Sequence, residues 1–295
     1  HTGNGDVIFE REIGTIADWS LNVRGLMSRG PRLNVWRAPI DNDKYMLETW
    51  RRYGLDLLRH RIERCEVVSE EDDAVAIEVE ATVAAWSRRP AFHVAYLYVI
   101  HGDGVVELTT SVHPHASLDD LLTLPRVGIQ FAMPGGCEQV AWYGLGPHES
   151  YSDRRESVTV GEWRGTVDEQ CERYIVPQEN GGKAETRWAA VASAHGTGLL
   201  MVAEQDAPLL FTASHFTPED LDAAKHTWEL SPRDETIVNL DRLHVGLGSS
   251  ICGPRPMDQY LIPPQDVSFT VRLRPIGAMT GLDDAVRGLR ATFEG

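Results

Sequence analysis

Alternation with a period of two runs through much of the chain. Val75, Ile77, Val79 and Val83 are interleaved with Glu78, Glu80 and Thr82, and Val267, Phe269, Val271 and Leu273 with Ser268, Thr270, Arg272 and Arg274. Successive side chains of a strand point to opposite faces, so both stretches predict half-buried antiparallel strands. AFHVAYLYVI, residues 91–100, is apolar at both sets of positions and predicts a strand covered on two sides. Further strands are expected at GVVELTTSV, GLLMVAEQ, PLLFTAS and TIVNLD, each bounded by Gly, Pro, Asp or Asn. The period changes in three places. From Leu47, apolar residues recur at Trp50, Leu57, Leu58 and Ile62 with roughly helical spacing. TPEDLDAAKH offers Thr217 as an N-cap, Pro218 at the first helical position and acids in the first turn. GLDDAVRGLRATFEG sets Leu282, Val286, Leu289 and Phe293 on one helical face, the pattern of a short terminal helix that docks or of a tail that frays. The strand count favours an all-β fold, a large antiparallel sandwich with short helical insertions. No internal repeat, low-complexity tract or linker precedes Pro275. The expected organisation is therefore a sandwich domain over residues 1–275 and a tail over 276–295.

Composition narrows the partners. A length of 295 residues does not limit the core, since sandwiches commonly exceed 200 residues as one unit. With 42% hydrophobic and 24% charged residues the balance is that of a soluble globular protein, and no run approaches the roughly 18 apolar residues of a membrane span. The 44 acidic against 28 basic residues give a net charge of −16, which repels a phosphate backbone. Neither membrane nor nucleic acid is an expected partner; a neutral small molecule such as a sugar fits better. Cys65, Cys137, Cys171 and Cys252 are scattered, with no CxxC pair, so free thiols in a reducing compartment are expected. The opening HTGNGDVIFE has no Met, no basic segment and no apolar core of a signal peptide, and reads as a cut inside a longer protein or a remnant of cloning.

Motifs for common chemistries are missing. His113 and His115 in HPHAS flank a proline without the further ligands that zinc requires. There is no GxSxG, P-loop or GxGxxG before a helix, and GLG at Gly246 is expected to be a tight turn. Four clusters stand out instead: WRAPIDND from Trp36, WYGLGPHESYSDR from Trp142, YIVPQENGG from Tyr174 and HVGLGSSICGP from His244. Each joins an aromatic or His to Gly or Pro turns and to acid, amide or hydroxyl groups, the make-up of loops that face a sugar or a partner from a rigid scaffold. The candidate positions in them are Arg37, Asp41, Asn42, Trp142, His148, Glu149, Tyr151, Glu179 and Asn180.

In this order and separation, RAPIDND, GLGPHESYSDR, VPQENGG followed by TRW, and HVGLG resemble the C-terminal region of glycoside hydrolase family 2 β-galactosidases, which follows the catalytic barrel and occurs as a separate small subunit in heterodimeric members. The likeness runs from about Gly5 to Pro275. It implies a β-supersandwich of the galactose-mutarotase-like kind, serving the cytoplasmic hydrolysis of terminal β-D-galactose residues, as in lactose catabolism. Retaining hydrolysis needs two carboxylates about 5 Å apart; in the family both are glutamates of the barrel, which this chain lacks. The resemblance thus implies no catalytic residue and no cofactor here, with any magnesium or sodium belonging to the barrel, and an inactive isolated chain. His148–Glu149 and Asp153–Arg154 are then expected to be interface and loop scaffold. The implied partners are a barrel-containing chain or domains in a homo- or hetero-oligomer, and a galactoside met through the assembled enzyme. Well-studied members present a Trp to the sugar just after HxGxG, while a subset of the family carries Cys; here the matching residue is Cys252, which with His244 would form the pocket rim. Two alternatives stay open: a stand-alone carbohydrate-binding module, and an aldose 1-epimerase-like enzyme with Glu149 or Glu179 as base and His215 or His244 as acid.

Overall fold

The alternation is realised as strands throughout residues 5–248 and 253–277, the part of the chain that this computed structural model describes. Three short strands, β1 (Gly5–Glu10), β2 (Thr15–Leu21) and β3 (Arg24–Met27), make a small sheet. β4 (Arg29–Asn34) leads through a 3-10 turn at Asp41–Tyr45 into α1 (Leu47–Tyr53). A meander follows, β5 (Leu58–Glu70), β6 (Ala74–Ala85), β7 (Phe92–His101) and β8 (Val106–Pro114). Then come β9 (Arg126–Met133), β10 (Gln139–Gly146), β11 (Thr159–Thr166), β12 (Lys183–Thr186), β13 (Trp188–Ala192), β14 (Gly198–Ala203) and β15 (Leu209–Ser214). The short helix α2 (Pro218–Ala223) precedes β16 (Thr236–His244) and β17 (Val267–Ile276). A nine-stranded sheet runs β11-β10-β13-β14-β17-β8-β7-β6-β5 and a five-stranded sheet β12-β15-β16-β9-β4, every pairing antiparallel.

The two large sheets share one core. Tyr96 and Tyr98 of β7, Leu108 of β8 and Val271 of β17 meet Ile129 and Phe131 of β9 and Leu240 of β16 in a single buried cluster. The tyrosine hydroxyls inside it are paired, as burial of a polar tip demands: Leu33 N donates to Tyr96 Oη at 2.9 Å, and Tyr98 Oη lies 3.1 Å from Thr15 Oγ1.

The large all-β antiparallel sandwich expected from the pattern is what forms, with three local differences. The helix begun at Leu47 stops at Gly54, whose φ of 74° caps it in the left-handed region. Leu58 and Ile62 lie in strand β5 instead, drawn in by pairing along β6. In β7 the apolar run is covered on one side: Phe92, Val94, Tyr96 and Tyr98 are buried while Leu97 is 38% exposed, because no layer of the described residues crosses that part of the outer face. GLG is irregular chain running on from β16 and not a turn, held by side chains described below. α2 follows expectation: Thr217 Oγ1 accepts from Asp220 N at 3.2 Å and Asp220 Oδ2 accepts from Thr217 N at 2.9 Å. The expected tail helix lies outside the described residues.

Candidate functional site

Antiparallel pairing places Arg126, at the start of β9, opposite His244, at the end of β16. The chain leaving β4 arrives at the same end of the five-stranded sheet, since Asn34 pairs with Gly128. All four clusters are tied together there by hydrogen bonds. Arg37 is 0% exposed; its Nη2 donates to Asp43 Oδ1 at 2.6 Å and its Nη1 to Val245 O at 3.0 Å. Asn42 donates from Nδ2 to Leu247 O at 2.8 Å and accepts from Gly253 N at 2.8 Å. Asp153 accepts from Leu247 N at 2.9 Å and from Gly248 N at 2.7 Å. The glycines are required: a Cβ on Gly246 would come within 2.4 Å of Asp153, and Gly248 has a φ of +88°.

Behind this layer sits a buried group of charges. Arg126 Nε donates to Asp241 Oδ1 at 3.0 Å, and Nη2 makes the second bond of a bidentate pair to Oδ2. Glu179 lies 3.5 Å from Arg126 Nη1 and 3.6 Å from His244 Nε2, and Tyr151 Oη donates to it at 3.5 Å. The Tyr151 and His244 rings are 5.2 Å apart, and Tyr151 Oη accepts from Gly182 N at 3.1 Å. Burial works to raise the Glu179 pKa, but the Arg126 charge and His244 outweigh it and hold the carboxyl at about 2. A permanently ionised carboxylate of this kind is a weak base and no proton donor at neutral pH.

The sequence-predicted positions fall into three groups. Arg37, Asn42, Tyr151, Glu179 and His244 converge at this end, all buried. Trp142 does not face outward: it is 1% exposed in the inter-sheet core, with Nε1 donating to Leu145 O at 3.0 Å and Lys183 Nζ 5.2 Å from the ring centre. Its place on an inward position of β10 explains the correction. Asp41 and His148 are exposed, whereas Glu149 is half-buried and accepts from Tyr174 Oη at 2.5 Å and Gly181 N at 2.9 Å. Asn180 shapes its own loop, donating to Gln178 O at 2.8 Å and accepting from Glu172 N at 3.0 Å. Cys252 lies outside the described residues. His215 is at the far end of the sheet, beyond the Ser214–Ile237 pairing, with Nε2 2.9 Å from Glu138 Oε2, so it cannot share a centre with Glu149 or Glu179. His113 and His115 go separate ways, to Asp266 at 3.2 Å and Ser117 N at 3.0 Å. Among the described residues no group of three or more His, Cys, Asp or Glu could hold a metal ion, and no helix is long and apolar enough to cross a membrane.

A cavity of about 320 Å³ opens at the surface of this end, lined in part by Ile40, Asp41, Arg154, Ile175, Glu179 and Leu247. In its lining Ile175 is 86% exposed and Val176 49%. Sequence reading missed Arg126, Asp241, Asp43 and Lys183. The available signal was a charge interrupting an apolar strand, as Asp241 does in TIVNLD.

Comparison with known proteins adds a lineage to this geometry. A family model described as beta galactosidase small chain matches residues 1–273. The β-galactosidase of Vibrio cholerae serotype O1 is 34% identical over 252 residues, covering 81% of this chain and 23% of that protein. That of Priestia megaterium is 29% identical over 250 residues, 83% of this chain and 23% of its own length, and that of Arthrobacter sp. (strain B7) 29% over 280 residues, 86% and 27%. The chain thus spans about a quarter of the curated relatives it matches. A solved galactose mutarotase related enzyme from Lactobacillus acidophilus aligns over 93% of this chain and 95% of its own at 7% identity and a TM-score of 0.44, a likeness too distant to argue from.

Proposed function

Because the chain belongs to the beta galactosidase small chain family, we propose that it is the sandwich part of a β-galactosidase, which completes the rim of a galactoside site whose catalytic carboxylates lie in a separate barrel. The observation that carries this reading is the loop end: buried pairs of Arg37 with Asp43 and Arg126 with Asp241 fix loops around a cavity fringed by exposed Ile175 and Val176. Rigidly held loops with bare apolar side chains suit a surface that another chain or domain covers. In this reading His148, Glu149 and Asp41 face that partner, and Cys252 and His244 serve as substrate-binding residues. Cys252→Trp should then tighten aglycone binding in the assembled enzyme, by about 1 kcal/mol for an aromatic contact. Of the two bases open to the epimerase alternative, Glu149 and Glu179, the low pKa of Glu179 argues against the second. Pure isolated chain should fold and hydrolyse no nitrophenyl galactoside. Turnover that stays with the chain through removal of host galactosidase would overturn the assignment of catalysis to the barrel.

A further inference from the structure

β4 is the edge strand of the five-stranded sheet and β5 that of the nine-stranded sheet. One cavity, of about 400 Å³, is lined by both, and β9 and α2 add Gln130 and Glu219 to its wall. A cleft of this size suits a small molecule, and the polar groups in it decide which. Its amides are set before any ligand arrives. Asn239 Oδ1 accepts from Asn34 Nδ2 at 3.1 Å and from Gln130 Nε2 at 3.0 Å, and Asn239 Nδ2 donates to Thr212 Oγ1 at 3.0 Å. His60 of β5 is held by Tyr96, whose Oη lies 2.9 Å from His60 Nε2. Burial, and then the Arg32 charge, lower the His60 pKa to about 4, so at neutral pH the ring carries no charge and offers one donor and one acceptor nitrogen. The two helices beside the cleft are clamped as well: Arg51 of α1 donates to both carboxylate oxygens of Asp222 of α2, at 2.7 and 3.0 Å, and stands 3.9 Å from Asp56.

Against this fixed frame, other groups of the lining have no use within the fold. Arg59 and Glu219 are exposed and make neither a hydrogen bond nor an ion pair among the described residues. Trp36 is 2% exposed, and its Nε1 and the buried Oδ1 of Asp56 have no hydrogen-bond partner. Buried polar atoms are ordinarily satisfied, so two of them in the lining of one cavity call for a reason. Arg32 and Arg59 share that lining with Asp56 and Glu219, a mixture that suits neither a lone anion nor a lone cation. An apolar molecule would strand all four charges away from water. A hydroxyl donates and accepts at once, so an uncharged molecule with several hydroxyls matches the lining. We propose that this cleft is a binding site for a neutral polyhydroxylated molecule of about monosaccharide size, with hydroxyls bonded to Arg59, Gln130 and Glu219.

The inference does not rest on the galactosidase reading, and its test uses the 295-residue chain without any partner. Titration with myo-inositol and with D-glucose, followed by calorimetry, should show saturable one-to-one binding of at least one of them. Arg59→Ala and Glu219→Ala should each weaken it by about tenfold or more, the worth of a hydrogen bond to a charged group. Neither change should move the melting temperature, since neither side chain is tied into the fold. Ile175→Asp, at the loop-end cavity, should leave the binding as it was. Saturation by neither polyol would overturn the proposal. So would binding that Ile175→Asp removes while Arg59→Ala and Glu219→Ala leave it intact, which would put the polyol at the loop end. Saturation by inorganic phosphate that excess polyol does not displace would overturn it too, because charge would then be what the cleft recognises.

Discussion

Two charge networks in this chain share their chemistry and differ in burial. On the outer face of β5 and β6, Arg64 donates to Glu66, Glu78 and Glu80 at 3.1, 2.6 and 2.8 Å, with side chains between 35% and 57% exposed. At the loop end, the side chains of Arg37 and Asp43 are both 0% exposed, and those of Arg126 and Asp241 1% and 0%. Water and salt screen the first network, so its bonds add little to stability. In the second, each charge has lost its hydration and depends on its partner. What the buried pairs supply is position: the Arg37 donors to Asp43 and Val245 fix the 3-10 turn against the chain after β16. The lesson is that charge density alone does not mark a site; charge held without water does.

The contrast should break first at Asp241. Asp241→Ala leaves the Arg126 guanidinium buried with only the longer contact to Glu179 and should destabilise by about 3–5 kcal/mol. A denaturant midpoint that hardly moves would place this pair with the surface network. Glu179 comes next. Its folded pKa of about 2 lies below the ordinary 4.5, so its contribution is full above 4.5 and drains away as pH falls towards 2. Acid unfolding followed by circular dichroism should steepen in that window, and Glu179→Gln should remove the effect.

Lys183 tests the same idea with the opposite sign. Burial lowers its pKa from 10.5 to about 8, against the pull of Glu149 and Glu172. Between pH 8 and 10.5 the unfolded chain binds more protons than the folded one, so stability rises with pH across that range. Lys183→Met should be more stable at pH 7 by about 1–3 kcal/mol and lack the rising arm; a variant that keeps the arm would assign it to another group. Smallest of all, Arg64→Ala should leave the unfolding midpoint unchanged within error at high salt. A clear loss there would erase the distinction between the networks.

Much of the sandwich was legible because a period of two in Val75–Val83 or Val267–Leu273 follows directly from one face meeting the core. The helix from Leu47 ran too long on paper because apolar spacing at Leu57, Leu58 and Ile62 fits both periods, and the left-handed cap at Gly54 decides between them. The loops of the site were visible as clusters of turn residues with polar groups. Their inner charges were not, since whether Arg126 meets Asp241 depends on the register of β9 against β16, a long-range pairing that local pattern does not carry. Trp142 misled for a related reason: its cluster is loop-like, but the residue itself falls on the inward side of β10.

Under the proposed function this chain completes an enzyme whose catalytic groups lie elsewhere. Mixing the pure chain with its barrel-containing partner and following nitrophenyl galactoside hydrolysis tests that directly. The predicted result is no activity from the chain, a large gain on mixing, and a reduced gain with Ile175→Asp, whose side chain stands exposed beside the cavity. Hydrolysis by the chain alone, or a mixture no more active than the partner, would contradict it.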